Sequence, residues 1–439
     1  MFEKVLIARR GEAAARVART CKRLGVDAIA LYSDAAESVH VEACDRAFEV
    51  KATDGQVSAE DVIACAREAS ADAVFPGYSS HRAHLELAQA LEAEGIPFVG
   101  LDPDVLRTVG DRSAFRELAE RAGVRTIPGG LVATLDEAKS LAEEVDYPVV
   151  LKGQAADASI GARKADDEEE LDAAWSEIRA LQPEGSVVVE SHIPRARDLE
   201  VLLVSDSHGT VLPLVEMETS ILEAGRGLIR ECPSPKLVLA ADGESIREMM
   251  FDIGVRIARE LECVGLMSVQ MLLSPTGRLW VRGARLGLVA MHAVVERVTR
   301  LDLVALQLQV ASGEALGEEI EYLQPRGHAI GAQILASDPS QEGVSVDEIV
   351  LPSAPRTARI ELSVAKGTQV PPDDWPRVAK ITASAPVRRQ ALMTLDRILA
   401  AASFEPLKTN VAALRKVLHA GTFRAGQYDL SLIEQLRST

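Results

Sequence analysis

Aromatic residues make up only 4% of the 439-residue chain, and the five cysteines (Cys21, Cys44, Cys65, Cys232, Cys263) are scattered and odd in number. With no Cys-x-x-Cys pair and no histidine at zinc spacing, a disulfide framework and a zinc site both lack their signature, and a reducing cytoplasm fits best. Basic residues are also short: 48 against 66 acidic ones, for a net charge of -18. Nucleic acid and anionic membranes need clustered positive potential, so neither is an expected partner. No run approaches the ~20 apolar residues of a membrane helix. Met1-Phe2-Glu3-Lys4 leads straight into a short apolar run, without the layout of a signal peptide. No Gly-x-Gly-x-x-Gly follows that run, which leaves a dinucleotide fold little support. No internal repeat or low-complexity segment stands out.

What is present reads as a globular protein. Hydrophobic residues make up 47% and charged ones 26%, in a chain long enough for about three domains on a ~150-residue prior. Apolar runs at 4–8, 26–33, 73–75 and 97–100 recur at βα spacing and predict a doubly wound α/β domain over 1–110. A helical linker is expected over 111–127. Helix 135–145, strand 147–152, helix 167–181 and strand 186–190 predict a compact α+β lid over 128–193. Strands at 198–205 and 211–218 and a helix at 244–262 begin a C-terminal antiparallel-sheet domain over 194–439. Within it, runs 267–273 and 278–285 flank Ser274-Pro275-Thr276-Gly277, which offers turn geometry and predicts a hairpin.

That hairpin resembles the metal-binding hairpin of biotin carboxylases, members of the ATP-grasp superfamily. The opening segment is similar too, through Ala8, Arg10, Gly11, Glu12, Arg16, Arg19, Cys21 and Lys22, with Arg9 in place of an Asn. Pro76-Gly77-Tyr78, Arg326-Gly327-His328-Ala329, Asp338-Pro339, Ala391-Leu392-Met393 and Lys408-Thr409-Asn410 extend the resemblance over nearly the whole chain; Ser79-Ser80-His81 departs from it. No Met-Lys-Met biotin-attachment site is seen. The resemblance implies ATP-dependent phosphorylation of bicarbonate and carboxylation of biotin.

Residue by residue, the resemblance also implies losses. Where the family holds magnesium with two Glu and an Asn, this chain has Gln270, Gly283 and Arg285; an amide, a missing side chain and a guanidinium do not suit a hard cation. Gly287 stands for the bicarbonate-anchoring Arg, Met291 for the catalytic Glu, and Gln333 for a further active-site Arg, while His292 survives. Leu222, Gly225 and Gly227 replace a Gln, a His and a Lys. The glycine-rich lid loop becomes Ala155-Ala156-Asp157-Ala158-Ser159-Ile160-Gly161, in which Asp157 would repel phosphates. Lys152, Glu190, Arg112 and His292 match positions of a residual nucleotide pocket; Ser191 and Asp198 replace a Lys and a His beside it.

The expectation is a non-catalytic homologue that scaffolds or regulates a biotin-dependent acyl-CoA carboxylase, partnered by active biotin carboxylase, biotin-carrier or carboxyltransferase subunits, and binding ATP weakly and without magnesium if at all. Two alternatives stand beside it. One is a working ligase with a relocated site, for which Glu216 and Glu218 are the available carboxylates. The other is a nucleotide or anion sensor in which Arg282 and Arg285, flanking Gly283, line one face. The family pairs through its first helix; Arg16 and Arg19 match its arginines, but Arg23 replaces a glutamate, which would set Arg19 against Arg23 twice in an isologous homodimer.

Overall fold

The computed structural model describes residues 1–33, 38–53, 56–78, 81–155, 161–223, 225–337, 344–368 and 377–438. The chain opens on a parallel sheet in the order Arg46–Glu49, Asp27–Tyr32, Lys4–Ile7, Ala73–Phe75. Beyond Lys4, the strand Lys4–Ile7 is apolar at every position because both of its faces are covered. Leu6 packs with Ile29, Leu31, Val62 and Leu91. Val5 and Ile7 pack on the opposite side with Ala14, Val17 and Cys21 of the helix Gly11–Leu24. Gly25, at φ 74°, ends that helix by turning its N–H back to the carbonyls of Cys21 and Lys22. The expected strand at 97–100 is reduced to a single bridge from Phe98 to Val74. Pro97 has no N–H to extend the ladder there.

The lid is an antiparallel sheet in the order Gly129–Val132, Val187–Ser191, Val149–Gly153, Ala162–Ala165, backed by helices Leu135–Val145 and Glu168–Leu181. Thr134 and Glu137 close a reciprocal capping box at the first helix, and Asp167 caps the second. Its core (Val149, Leu151, Ala138, Ala142, Leu171, Ile178) is its own.

The rest is built on an eight-stranded antiparallel sheet: Leu279–Leu286, Gly265–Leu273, Arg197–Ser205, Val211–Glu223, Arg226–Cys232, His328–Leu335, Arg377–Ala385, Ala358–Leu362. Leu199, Val201 and Leu203 point to one face and bury against Met250 and Ile257 of the helix Gly243–Glu260. Each such side chain contributes ~1.5–3 kcal/mol of burial. Gly254 lets that helix sit close, since a Cβ there would meet Leu203 Cδ2 at 3.1 Å. Strand alternation then sends Asp198 and Glu200 to the opposite face. There they meet the hairpin.

Candidate functional site

The hairpin forms as expected, as Gly265–Leu273 and Leu279–Leu286, but with one irregularity. Gly283 pairs with Gln270 while Val281 pairs with Met271, so Arg282 is the extra residue of a bulge. Three positions apart, Arg282 and Arg285 would face opposite ways in a regular strand; the bulge lets both reach the acids of the strand Arg197–Ser205. Arg282 Nη1 donates to Asp198 Oδ2 at 2.6 Å, and Arg285 Nε to Glu200 Oε1 at 2.7 Å. Arg230 Nη1 reaches the other Glu200 oxygen at 3.1 Å, and Ser268 Oγ donates to it at 3.3 Å. The Gln270 amide lies between the charges, within 3.3 Å of Glu200; turned over, its oxygen would accept from Arg285 at 3.2 Å.

Asp198 and Glu200 are both wholly buried. Burial alone would push the Glu200 carboxyl up, but Arg230 and Arg285 hold it down at about 2. Asp198 goes the other way: burial raises it, with Arg282 opposing. Its Oδ1 finds no partner among the described residues, and neither does Arg230 Nε. Three guanidiniums thus face two carboxylates.

This donor set does not fit magnesium. The hairpin offers an amide, a glycine and a guanidinium, and the nearest carboxylate, Glu200, is already shared by Arg230 and Arg285. Among the described residues, no three His, Cys, Asp or Glu side chains converge where a metal could sit. Glu216 and Glu218, the carboxylates available for a relocated site, are almost fully buried. Glu216 is gripped by Arg247 through two 3.0 Å bonds. Glu218 accepts from Arg197 at 3.0 Å and Ser234 at 2.7 Å, and also from Ser220.

Of the four candidate nucleotide residues, three come together. Lys152 pairs with Glu190 across neighbouring lid strands, and Arg112 Nε donates to the adjacent Gly153 carbonyl at 3.0 Å. Burial pulls the Lys152 ammonium down, and Glu190 raises it back in part. Residues 156–160 of the lid loop, like Ser79, Ser80, Asp338 and Pro339, lie outside the described residues.

His292 belongs elsewhere. It is fully buried, with Nδ1 3.2 Å from the Tyr78 hydroxyl and 2.9 Å from the Val289 carbonyl, and burial lowers its pKa to about 4. It stands beside Lys380, which contacts Glu12 at 2.9 Å and Glu361 at 3.3 Å. The neighbouring candidates are filled in structurally. Met291 is buried over Gly331, where an added Cβ would collide with its methyl at 2.2 Å. Gly287 sits at φ 64°, a left-handed conformation that favours glycine. Gln333 donates to the Gly227 carbonyl and accepts from Arg377 Nε at 2.8 Å.

The first helix joins the same network. Arg16 is buried, bound to Glu296 at 2.6 Å and Asp302 at 2.9 Å, while Arg19 reaches Glu361 at 3.4 Å. Arg23 is exposed yet pairs with Asp302 of its own chain. That pair answers in cis much of the charge expected to oppose Arg19 across a dimer axis. Glu200, Arg230 and Lys380 were not singled out in the sequence. The available signal for Glu200 was Asp198-x-Glu200, two acids at period two inside an apolar strand.

Comparison with known proteins gives this arrangement a lineage. Residues 1–106 match the biotin carboxylase N-terminal domain, 111–319 the carbamoyl-phosphate synthase L chain ATP-binding domain, and 336–435 the biotin carboxylase C-terminal domain. A biotin carboxylase of Halalkalibacterium halodurans is 33% identical over 440 residues, covering 97% of this chain and 96% of its own. The chain belongs to the biotin carboxylase family. Biotin carboxylase 2 of Bacillus subtilis is 31% identical, covering 99% of this chain and 100% of its own. Among solved structures, the biotin carboxylase domain dimer of Hydrogenobacter thermophilus 2-oxoglutarate carboxylase, in complex with MgADP, ADP and bicarbonate, superposes with TM-score 0.91 at 29% identity, covering 99% of this chain and 98% of that one. A biotin carboxylase–β,γ-ATP complex from Campylobacter jejuni gives 0.90 at 26%, covering 99% of each. The biotin carboxylase fold and its ATP-grasp core are therefore secure for this chain. No helix among the described residues is long and apolar enough to cross a membrane.

Proposed function

We propose that this member of the biotin carboxylase family is a non-catalytic subunit that scaffolds or regulates a biotin-dependent acyl-CoA carboxylase. The observation that carries the reading is the closure of the hairpin by ion pairs: Arg285, at a position where the resemblance implies a magnesium ligand, on Glu200, and Arg282 beside it on Asp198. Gly287 and Met291 add to it, since anchor and base are both missing. Loss of a general base costs ~10²–10⁴ in rate and loss of a charge stabiliser ~10²–10³. A relocated ligase site is poorly supported, because Glu216 and Glu218 are already held by arginines. Relatives whose names denote subunits, such as the 2-oxoglutarate carboxylase small subunit of Hydrogenobacter thermophilus, favour a role within an assembly. The partners proposed are an active biotin carboxylase, a biotin carrier or a carboxyltransferase.

A nucleotide- or anion-binding role is the second reading. It is favoured by the surplus guanidinium of the hairpin network and by Lys152 and Arg112 nearby. Such binding would be weak, because Lys152 must leave Glu190 to meet a phosphate, and it would not need magnesium. Phosphate release with free biotin and bicarbonate tests the main reading. The expected result is no biotin-dependent turnover; a rate within about a hundredfold of an active biotin carboxylase would overturn it.

A further inference from the structure

A groove of about 600 Å³ opens between the helices Pro235–Leu239, Arg388–Ala400 and Val411–His419. Its walls are Val238, Leu239, Val387 and Met393, exposed by 58%, 65%, 53% and 62%. These are four of the ten large apolar side chains exposed among the described residues, gathered at one place. Leu392 and Leu418 form a buried floor. Scattered exposed apolar residues need no explanation, but a contiguous groove of them does.

The charges around it that are left without an ion-pair partner have one sign. Arg388 is turned inward onto Glu231 at 2.6 and 2.8 Å, and Asp396 is answered by Arg415 at 2.9 Å and His419 at 3.0 Å. Arg389 and Arg424 line the groove with no carboxylate partner among the described residues. Arg397 lies four positions beyond Met393, as Met393 lies four beyond Arg389, so arginine, methionine and arginine form one stripe along an exposed helix face. A cationic rim on a chain of net charge -18 is a local choice of sign.

We propose that this groove docks an amphipathic acidic helix of a partner protein, its apolar face laid over Val238, Leu239 and Met393 and its carboxylates set against Arg389, Arg397 and Arg424. A helix-walled apolar groove suits a helix better than an extended strand, because no sheet edge is offered for main-chain pairing. The inference is independent of whether the hairpin site turns over.

The test places a photo-crosslinking residue at 393 in the full chain, in its native cells, with a second at exposed Tyr322 as control. The cross-linked segment is identified by mass spectrometry, synthesised, and titrated by fluorescence anisotropy. The expected result is a segment of another protein with apolar residues at helical spacing and interspersed Asp or Glu. Its affinity should fall about tenfold or more in Arg389→Glu/Arg397→Glu and also in Leu239→Glu, with circular dichroism unchanged. Cross-linking no stronger than at 322 would overturn the proposal. So would a second copy of this chain in the groove, a basic or charge-free segment, or an affinity indifferent to the arginine reversals.

Discussion

Replacing Arg285 with methionine removes the guanidinium that occupies the metal hairpin while keeping most of the side chain's apolar length. Glu200 then stays buried with Arg230 at 3.1 Å as its remaining cation. In the intact chain Glu200 is held at about 2 against an ordinary 4.5. At ~1.4 kcal/mol per pH unit, this corresponds to roughly 3 kcal/mol of stability at neutral pH. Stripping a buried charge of all its partners costs ~3–5 kcal/mol. Because Arg230 remains, and because the Arg285 side chain is one-third exposed, Arg285→Met should cost less, about 2 kcal/mol. The thermal unfolding midpoint at pH 7 should therefore fall by about 2 °C.

The pH dependence gives the sharper reading. A carboxyl depressed in the folded state contributes its full stability above its unfolded pKa of 4.5 and loses it as pH falls towards 2. Without Arg285 the folded pKa rises. The gap between wild type and variant should thus be constant above about pH 5 and shrink below about pH 4. Glu200→Gln, which deprives both arginines at once, should be less stable than Arg285→Met at pH 7. A shift under about 1 °C for Arg285→Met, or a gap undiminished at pH 3.5, would mean that the guanidinium does not hold this carboxylate, and the case for a self-closed hairpin would fail.

Two further outcomes follow from the site. Any binding of ATP, titrated by calorimetry, should have affinity equal within about twofold in magnesium and in EDTA, since no ligand set among the described residues suits the metal; a large magnesium-dependent gain would refute this. His292, neutral with a pKa near 4 against an ordinary 6.5, penalises the folded state as pH falls below 6.5 and through 4, so the unfolding temperature of wild type relative to His292→Asn should decline over that window. Parallel curves would show that burial does not hold the ring neutral.

The fold was legible because its signals are local. Apolar runs at βα spacing and the Ser274-Pro275-Thr276-Gly277 turn each act within a few residues, and the hairpin strands lie within two residues of their expected starts. The ion-pair network around the hairpin was not legible, because its partners are written far apart in the chain. Glu200 meets Arg285 across 85 positions and Arg230 across 30, and Arg16 meets Glu296 across 280. The bulge at Arg282 leaves no mark in the sequence either, yet it decides which way that guanidinium turns.

The manner of replacement itself bears on function. Drift at a site no longer under catalytic demand would leave buried charges without partners, and each of these costs several kcal/mol. Instead, Arg285 closes on Glu200, Met291 is fitted over Gly331, and Gln333 bridges Gly227 and Arg377. On the proposed reading, each exchange removes a group the reaction needs and supplies a contact the fold can use. Such a pattern is what continued demand on the shape of the chain, without demand on its turnover, would retain, and it is the strongest physical support for a subunit that serves an assembly through its surfaces.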